Sequence, residues 1–364
     1  MSNISLTIML ESIHNEQSKG YYKRCLDRFQ EYTGKELDDL IEISSKEFTK
    51  IVMSYIISLK SQVSPNSIPT MLAPVKRFCV MNDVLLNWKK IEYLFPDQVK
   101  VTGQSAWQTS DVQKMLNVTT KLSSIAMIHL LASSGCRVGG LVGLRIKDIT
   151  NVKHGFKMVK VYAGEMEEYT TFLTPEASYA YDEYIKHRMD SGEEITPTCY
   201  VFRHRTSEYK QVDRTAVNMR LKRIIGKANL RGQKVKGSSD HRGIRYTTQL
   251  LHGFRKRFNT ILKENNDVND NAIEKMMGHK NGLDGTYLQI TDEKLLEHFM
   301  KGVVDLTVSN EHRLKLETIE LQKAKDELSI EHEQRFDKIE KMMEDMMKSN
   351  IISVKNLEWR LKDV

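Results

Sequence analysis

A chain of 364 residues is too long for one compact core, so two domains and an extension are expected. Apolar residues at 40% and charged residues at 28% are ordinary for a soluble globular protein. A net charge of +7 points to a polyanionic partner without identifying it. The scattered Cys25, Cys79, Cys136 and Cys199 argue against structural zinc and a disulfide framework, and for a reducing compartment. The sequence shows no signal-peptide order and no apolar run near the roughly 20 residues of a membrane helix. A cytoplasmic protein is therefore expected.

Residues 17–95 read as helices throughout. "YYKRCLDRFQEYTG" sets Tyr22, Leu26, Phe29 and Tyr32 at helical spacing and stops at Gly34. "SKEFTKIVMSYIISLKSQ" follows, capped by Ser44 or Ser45. "SPNSIPTMLAPVKRFCVMND" gives a third helix with a proline-marked start, and "LNWKKIEYLF" a fourth. Lysines such as Lys19, Lys50 and Lys89 give this segment dispersed basic faces, which individually read as solvated surface. Periodicity lapses in "PDQVKVTGQSA", so residues 99–106 read as a linker after a helical domain of residues 1–98.

"WQTSDVQKMLN" opens a second domain, 107–308, with Thr109 or Ser110 as cap. "LSSIAMIHLLASSGCRVGGLVGLRI" reads as helix, glycine-marked turn and helix. "FKMVKVYAGEMEEYTTFLTP" alternates like a strand pair with Gly164 in its turn. Helices resume at "PEASYAYDEYIKHRMDSGE" and continue to about residue 305. Residues 309–364 are highly charged and rich in helix formers. Leu314, Leu321, Ala324 and Leu328 keep heptad spacing, and Phe336, Ile339, Met343 and Met346 resume it one residue out of step. A long helix or short interrupted coiled coil is expected, serving as an oligomer surface or folding back on its own domain.

Four local features carry chemistry. In "SSGCRVGGLVGLRI", Arg137 follows a turn at the start of an apolar helix, where a guanidinium beside backbone N–H groups suits a phosphate oxygen. A surface arginine capping a turn reads equally well. In "LLHGFRKRFNTIL", leucines and phenylalanines form a buried helix face, while His252 and Arg255 lie one turn apart with Lys256 and Arg257 as a basic side. "MMGHKNG" places His279 after Gly278 at a helix end, and Tyr287 follows in "LDGTYLQI". Each has a plain alternative, a capping histidine or a half-buried aromatic. Residues 220–258 are dense in Lys and Arg, with Asp240 their only carboxylate, a footprint suited to a DNA backbone.

The order of these features resembles the tyrosine recombinase family, the phage-type integrases. "SGCRVGGLVGLRIKDI", "HGFRKRFNT" and "MMGHKNGLDGTY" look like its signature boxes. "HGFRK" and "GHKNGLDGTY", followed by "ITDEKLLEHF", are most similar to integrases of archaea and their viruses and plasmids. The resemblance implies a mainly α fold with a small antiparallel β hairpin or sheet. A helical core-binding domain would precede the recombinase catalytic domain, with the helical extension after it. It implies site-specific recombination of double-stranded DNA through a 3′-phosphotyrosine, without metal, ATP or other cofactor, by four protomers that accessory DNA-bending factors can assist. Arg137, Arg255 and His279 would clamp the scissile phosphate, His252 would help deprotonate Tyr287, and Tyr287 would attack. Two positions depart from the family. The hairpin position that usually holds a catalytic lysine looks like Met166, with Lys160, or Lys157 further from the turn, as the substitute. The acidic residue usual three after the first arginine is Gly140. Type IB topoisomerase activity and a non-catalytic DNA-binding or nucleoid-organising role are the rival readings.

Overall fold

A computed structural model describes residues 4–98, 105–204, 206–230, 234–235, 245–246, 248–279 and 290–362. The chain divides into two compact units, residues 1–104 with 232–249, and residues 105–231 with 250–364. The stretch 99–104, most of the expected linker, lies outside the described residues.

The first unit contains α1 (Ile4–Glu11), α2 (Glu16–Thr33), α3 (Leu37–Glu42), α4 (Ser45–Gln62), α5 (Ile68–Met81) and α6 (Trp88–Glu92). Apolar residues at helical spacing converge on one core, where Phe29 stacks on Phe48 at 6.2 Å and meets Tyr55 edge-on at 5.0 Å. The stop of α2 is Gly34, at φ +65°, whose N–H donates to the Gln30 carbonyl. Ser44, not Ser45, caps α4 by accepting the Glu47 N–H.

The second unit opens with α7 (Thr109–Asn117), α8 (Leu122–Ser134) and α9 (Val138–Gly143). Three antiparallel strands follow, β1 (Ile149–Asn151), β2 (Lys157–Val161) and β3 (Tyr169–Leu173), with β2 in the middle. Then come α10 (Pro175–Asp190), the hairpin of β4 (Arg203–His204) and β5 (Ser207–Gln211), and α11 (Arg214–Lys227). A two-stranded pair, β6 (Lys234–Val235) and β7 (Arg245–Tyr246), groups with the first unit. The second unit resumes with α12 (Leu250–Glu264), α13 (Asp270–Met276), α14 (Asp292–Lys301), α15 (Val303–Leu306) and α16 (Asn310–Lys362). The expected architecture, mainly helical with small antiparallel sheets, is the one observed.

The three-stranded sheet separates two cores because its side chains alternate faces. Val159, Val161, Tyr169 and Leu173 join the cluster that includes α8 and α10, whereas Phe172 and Met158 join Phe258 and Phe299. In α12, Phe254, Phe258 and Leu262 are fully buried, as their spacing predicts. Arg257 departs from expectation. It is 1% exposed rather than part of a basic side, and donates to the Ala132, Asp305 and Leu306 carbonyls and the Thr109 hydroxyl. Burial pulls its guanidinium down to about 10. Thr109 therefore does not cap α7; Gln108 holds that position, its N–H donating to Asp111 Oδ2 at 3.1 Å.

The tail is one continuous helix of 53 residues, about 80 Å long. Its start is seated by the buried Glu176 carboxylate, which accepts the Val308 N–H at 2.5 Å and the Ser309 N–H at 2.9 Å. Further on, Leu321, Leu328, Phe336, Ile339, Met343 and Met346 are all exposed, so this stripe is not folded back on its own unit. Among the described residues no helix is long and apolar enough to cross a membrane.

Candidate active site

Two glycine turns bring the site together. α8 ends at Gly135, whose φ of +58° is the left-handed conformation. A Cβ there would lie 2.8 Å from Phe258. The chain then reaches Arg137, the last residue before α9, whose Nη1 and Nη2 donate to the Gly278 carbonyl at 3.3 and 3.2 Å. Gly278 makes the second turn, at φ +62°, and a Cβ there would fall 2.3 Å from the Tyr169 ring. Neither position accommodates a side chain without moving an aromatic ring.

Arg255 of α12 stitches the two turns. Its Nη1 donates to the Gly135 carbonyl at 2.9 Å, and its Nη2 to the Met277 carbonyl. The same Nη2 lies 2.7 Å from His279 Nε2. His279 Nδ1 bonds the Glu274 carboxylate, whose other oxygen takes Lys263 Nζ at 2.6 Å. Glu274 and Arg255 thus engage both ring nitrogens and fix the orientation of the ring. Burial pushes the Glu274 carboxyl up, but hydrogen bonds from Lys263 and His279 outweigh it and hold it below the usual range.

The electrostatics are lopsided. Burial lowers the Arg255 pKa, and the charge of Arg137 acts in the same direction. Among the described residues neither guanidinium has a carboxylate partner, and the acceptors that hold them are carbonyls and an imidazole. Uncompensated charge is costly in a partly buried place, and an anion would relieve it. Beside them, burial pushes the Tyr169 phenol up to about 12.

Some neighbours have no signature in the sequence. A Cβ on Gly139 would stand 2.7 Å from both Arg214 Nη2 and Tyr162 Oη, so these groups converge over the start of α9. Tyr162 adopts φ +58°, unusual for a bulky residue. Glu274 was likewise not legible as the histidine's anchor, because their contact follows from how α13 ends. Gly140 has a packing reason for departing from the family pattern: a Cβ there would be 2.2 Å from Val161 Cγ1. A carboxylate stem has no room unless the Val161 side chain moves.

The hairpin separates the two lysines. Lys157 Nζ is 2.9 Å from Asp182 and 5.5 Å from the centre of the Tyr181 ring, so it is held against α10. Lys160 is exposed and paired in register with Thr170, which puts both side chains on one face. Thr170 lines a groove of about 300 Å³ together with Met166, Gly278, His279 and Asp292. Met166 itself is 89% exposed in the turn. The structure thus brings together Arg137, Arg255 and His279, with Lys160 on the face that borders the groove. His252 is exposed one turn before Arg255, and Tyr287 lies outside the described residues.

Residues 106–283 match the model of the phage integrase family. Two solved structures share the fold. The Tn1549 transposon integrase in complex with transposon right end DNA aligns over 80% of this chain and 97% of its own, at 14% identity and a TM-score of 0.55. The XerH site-specific recombinase bound to difH substrate, in a pre-cleavage complex, aligns over 74% and 76%, at 14% identity and a TM-score of 0.53. No curated protein matches the sequence. The matched stretch, residues 106–283, includes Arg137, Lys160, His252, Arg255 and His279 and ends before Tyr287.

Proposed function

We propose that the protein is a site-specific recombinase that cuts and rejoins double-stranded DNA through a 3′-phosphotyrosine, integrating or excising a mobile element. The observation that carries this is the meeting of Arg137, Arg255 and His279 with, among the described residues, no carboxylate on either guanidinium. Such a place suits a phosphodiester whose charge grows in the transition state.

In this reading the Tyr287 oxygen attacks phosphorus, the P–O5′ bond breaks, and the 3′ end stays on the protein. His252 takes the phenol proton and Lys160 protonates the departing 5′-oxygen. Arg137, Arg255 and His279 hold the phosphate, with Glu274 orienting the imidazole. The phosphotyrosine keeps the phosphodiester energy, so attack by a 5′-hydroxyl reseals the strand without ATP. The guanidinium charges do the work that a metal ion does elsewhere. Lys222, Arg223 and Lys227, exposed on α11, are suited to the DNA backbone and would make binding strongly salt-dependent. The forms "HGFRK" and "GHKNGLDGTY" favour the type found in archaea and their viruses and plasmids, with four protomers assembled on two duplexes, associated with the nucleoid.

Strand exchange is the test. Two duplexes carrying the cognate site are expected to yield recombinant duplexes with the protein alone or with a DNA-bending factor. Relaxation of a supercoiled circle without exchange would favour the topoisomerase reading, and binding without cleavage the non-catalytic one.

A further inference from the structure

We propose that α16 joins the protein to a second copy of itself as a parallel, in-register two-stranded coiled coil that forms without DNA. This goes beyond the recombinase reading and does not rest on it. α16 is a single 53-residue helix, and Leu316 near its start still packs against the second unit. Beyond that point apolar residues are exposed among the described side chains: Leu321 is 71% exposed, Phe336 69% and Leu328 57%. A solvated single helix has no use for such residues, least of all in register.

The register is continuous. Leu321 and Leu328 stand seven apart, and Phe336, Ile339, Met343 and Met346 follow at alternating steps of three and four. Leu328 and Phe336 stand eight apart, one residue more than a heptad. The extra residue locally unwinds the supercoil while keeping the seam on one side. The one-residue offset between the blocks therefore does not break the stripe.

Charge beside the seam selects the occupant. In a parallel pair, the residue just before a seam position meets the residue five further on in the other helix. Arg335 thus meets the partner's Glu340. Two-fold symmetry makes this pairing twice, so the helix is complementary to itself in this register. In one copy alone, Arg335 pairs along its own helix with Glu331 at 2.9 Å, so the exchange costs it no partner.

The full-length protein without DNA, followed by sedimentation at micromolar concentration, is expected to show twice the 42.2 kDa of one chain. The double variant Leu328→Glu with Phe336→Glu changes only exposed positions. It should be monomeric, with helical circular dichroism per residue largely kept. Arg335→Glu should weaken the dimer, and adding Glu340→Arg should restore it. Ile339→Cys should cross-link to itself under mild oxidation, which an antiparallel arrangement does not allow. A monomeric wild type, or a dimer indifferent to the seam variants, would overturn the proposal. A dimer that forms but never cross-links through position 339 would overturn the parallel register.

Discussion

Arg137→Ala is expected to slow single-turnover strand cleavage by about 10²–10³-fold, the effect of deleting one positioned donor to an oxyanion. Its two contacts to the Gly278 carbonyl are long, 3.3 and 3.2 Å, and the side chain is half-buried, so the thermal midpoint should hardly change. Arg255→Ala is expected to behave differently. It removes a comparable donor and also leaves the Gly135 and Met277 carbonyls without theirs, at about 1–3 kcal/mol for each buried group. Cleavage and stability should fall together in that variant and come apart in Arg137→Ala. Cleavage of a nicked duplex and a thermal melt, run on both proteins, measure this. Wild-type cleavage by Arg137→Ala would remove the phosphate clamp from the account.

Lys160→Ala should lower cleavage by about 10²–10⁴-fold, the range for loss of a general acid. A substrate with sulfur in place of the 5′-bridging oxygen has a leaving group that needs no proton, so it should be cleaved by this variant at close to the wild-type rate. Lys157→Ala should leave both substrates unaffected and mainly cost stability, because Lys157 is committed to Asp182 and Tyr181. Equal slowing of Lys160→Ala on both substrates would assign Lys160 to binding rather than proton transfer.

What could be read in advance was what local chemistry dictates. Gly34 ends a helix because its left-handed turn suits glycine, and the "FKMVKV…YTTFL" alternation gives a strand pair because one face of each strand is buried. The convergence of Arg137, Arg255 and His279 needed the order of three boxes, since any one of them has an ordinary explanation. Arg257 was misread for a tertiary reason. It sits beside Lys256 in sequence, yet its position on α12 turns it toward carbonyls from α8 and α15 that no local pattern announces. The choice between Lys157 and Lys160 is similar. Strand alternation puts them on opposite faces, but only the packing of α10 shows which face is already taken. Gly140 was visible as a departure, and its cause, the Val161 methyl above it, was not. The tail's heptads were legible, whereas only the structure shows them exposed along a continuous helix.

The central claim is that Tyr287 carries the DNA. A nicked duplex that loses its short 5′-hydroxyl fragment on cleavage traps the intermediate, and peptide mapping locates the bond. A covalent adduct on Tyr287 is expected with the wild type, and Tyr287→Phe should bind the same duplex with unchanged affinity and give none. Tight, salt-sensitive binding by the wild type with no adduct, or an adduct on another residue, would contradict the account.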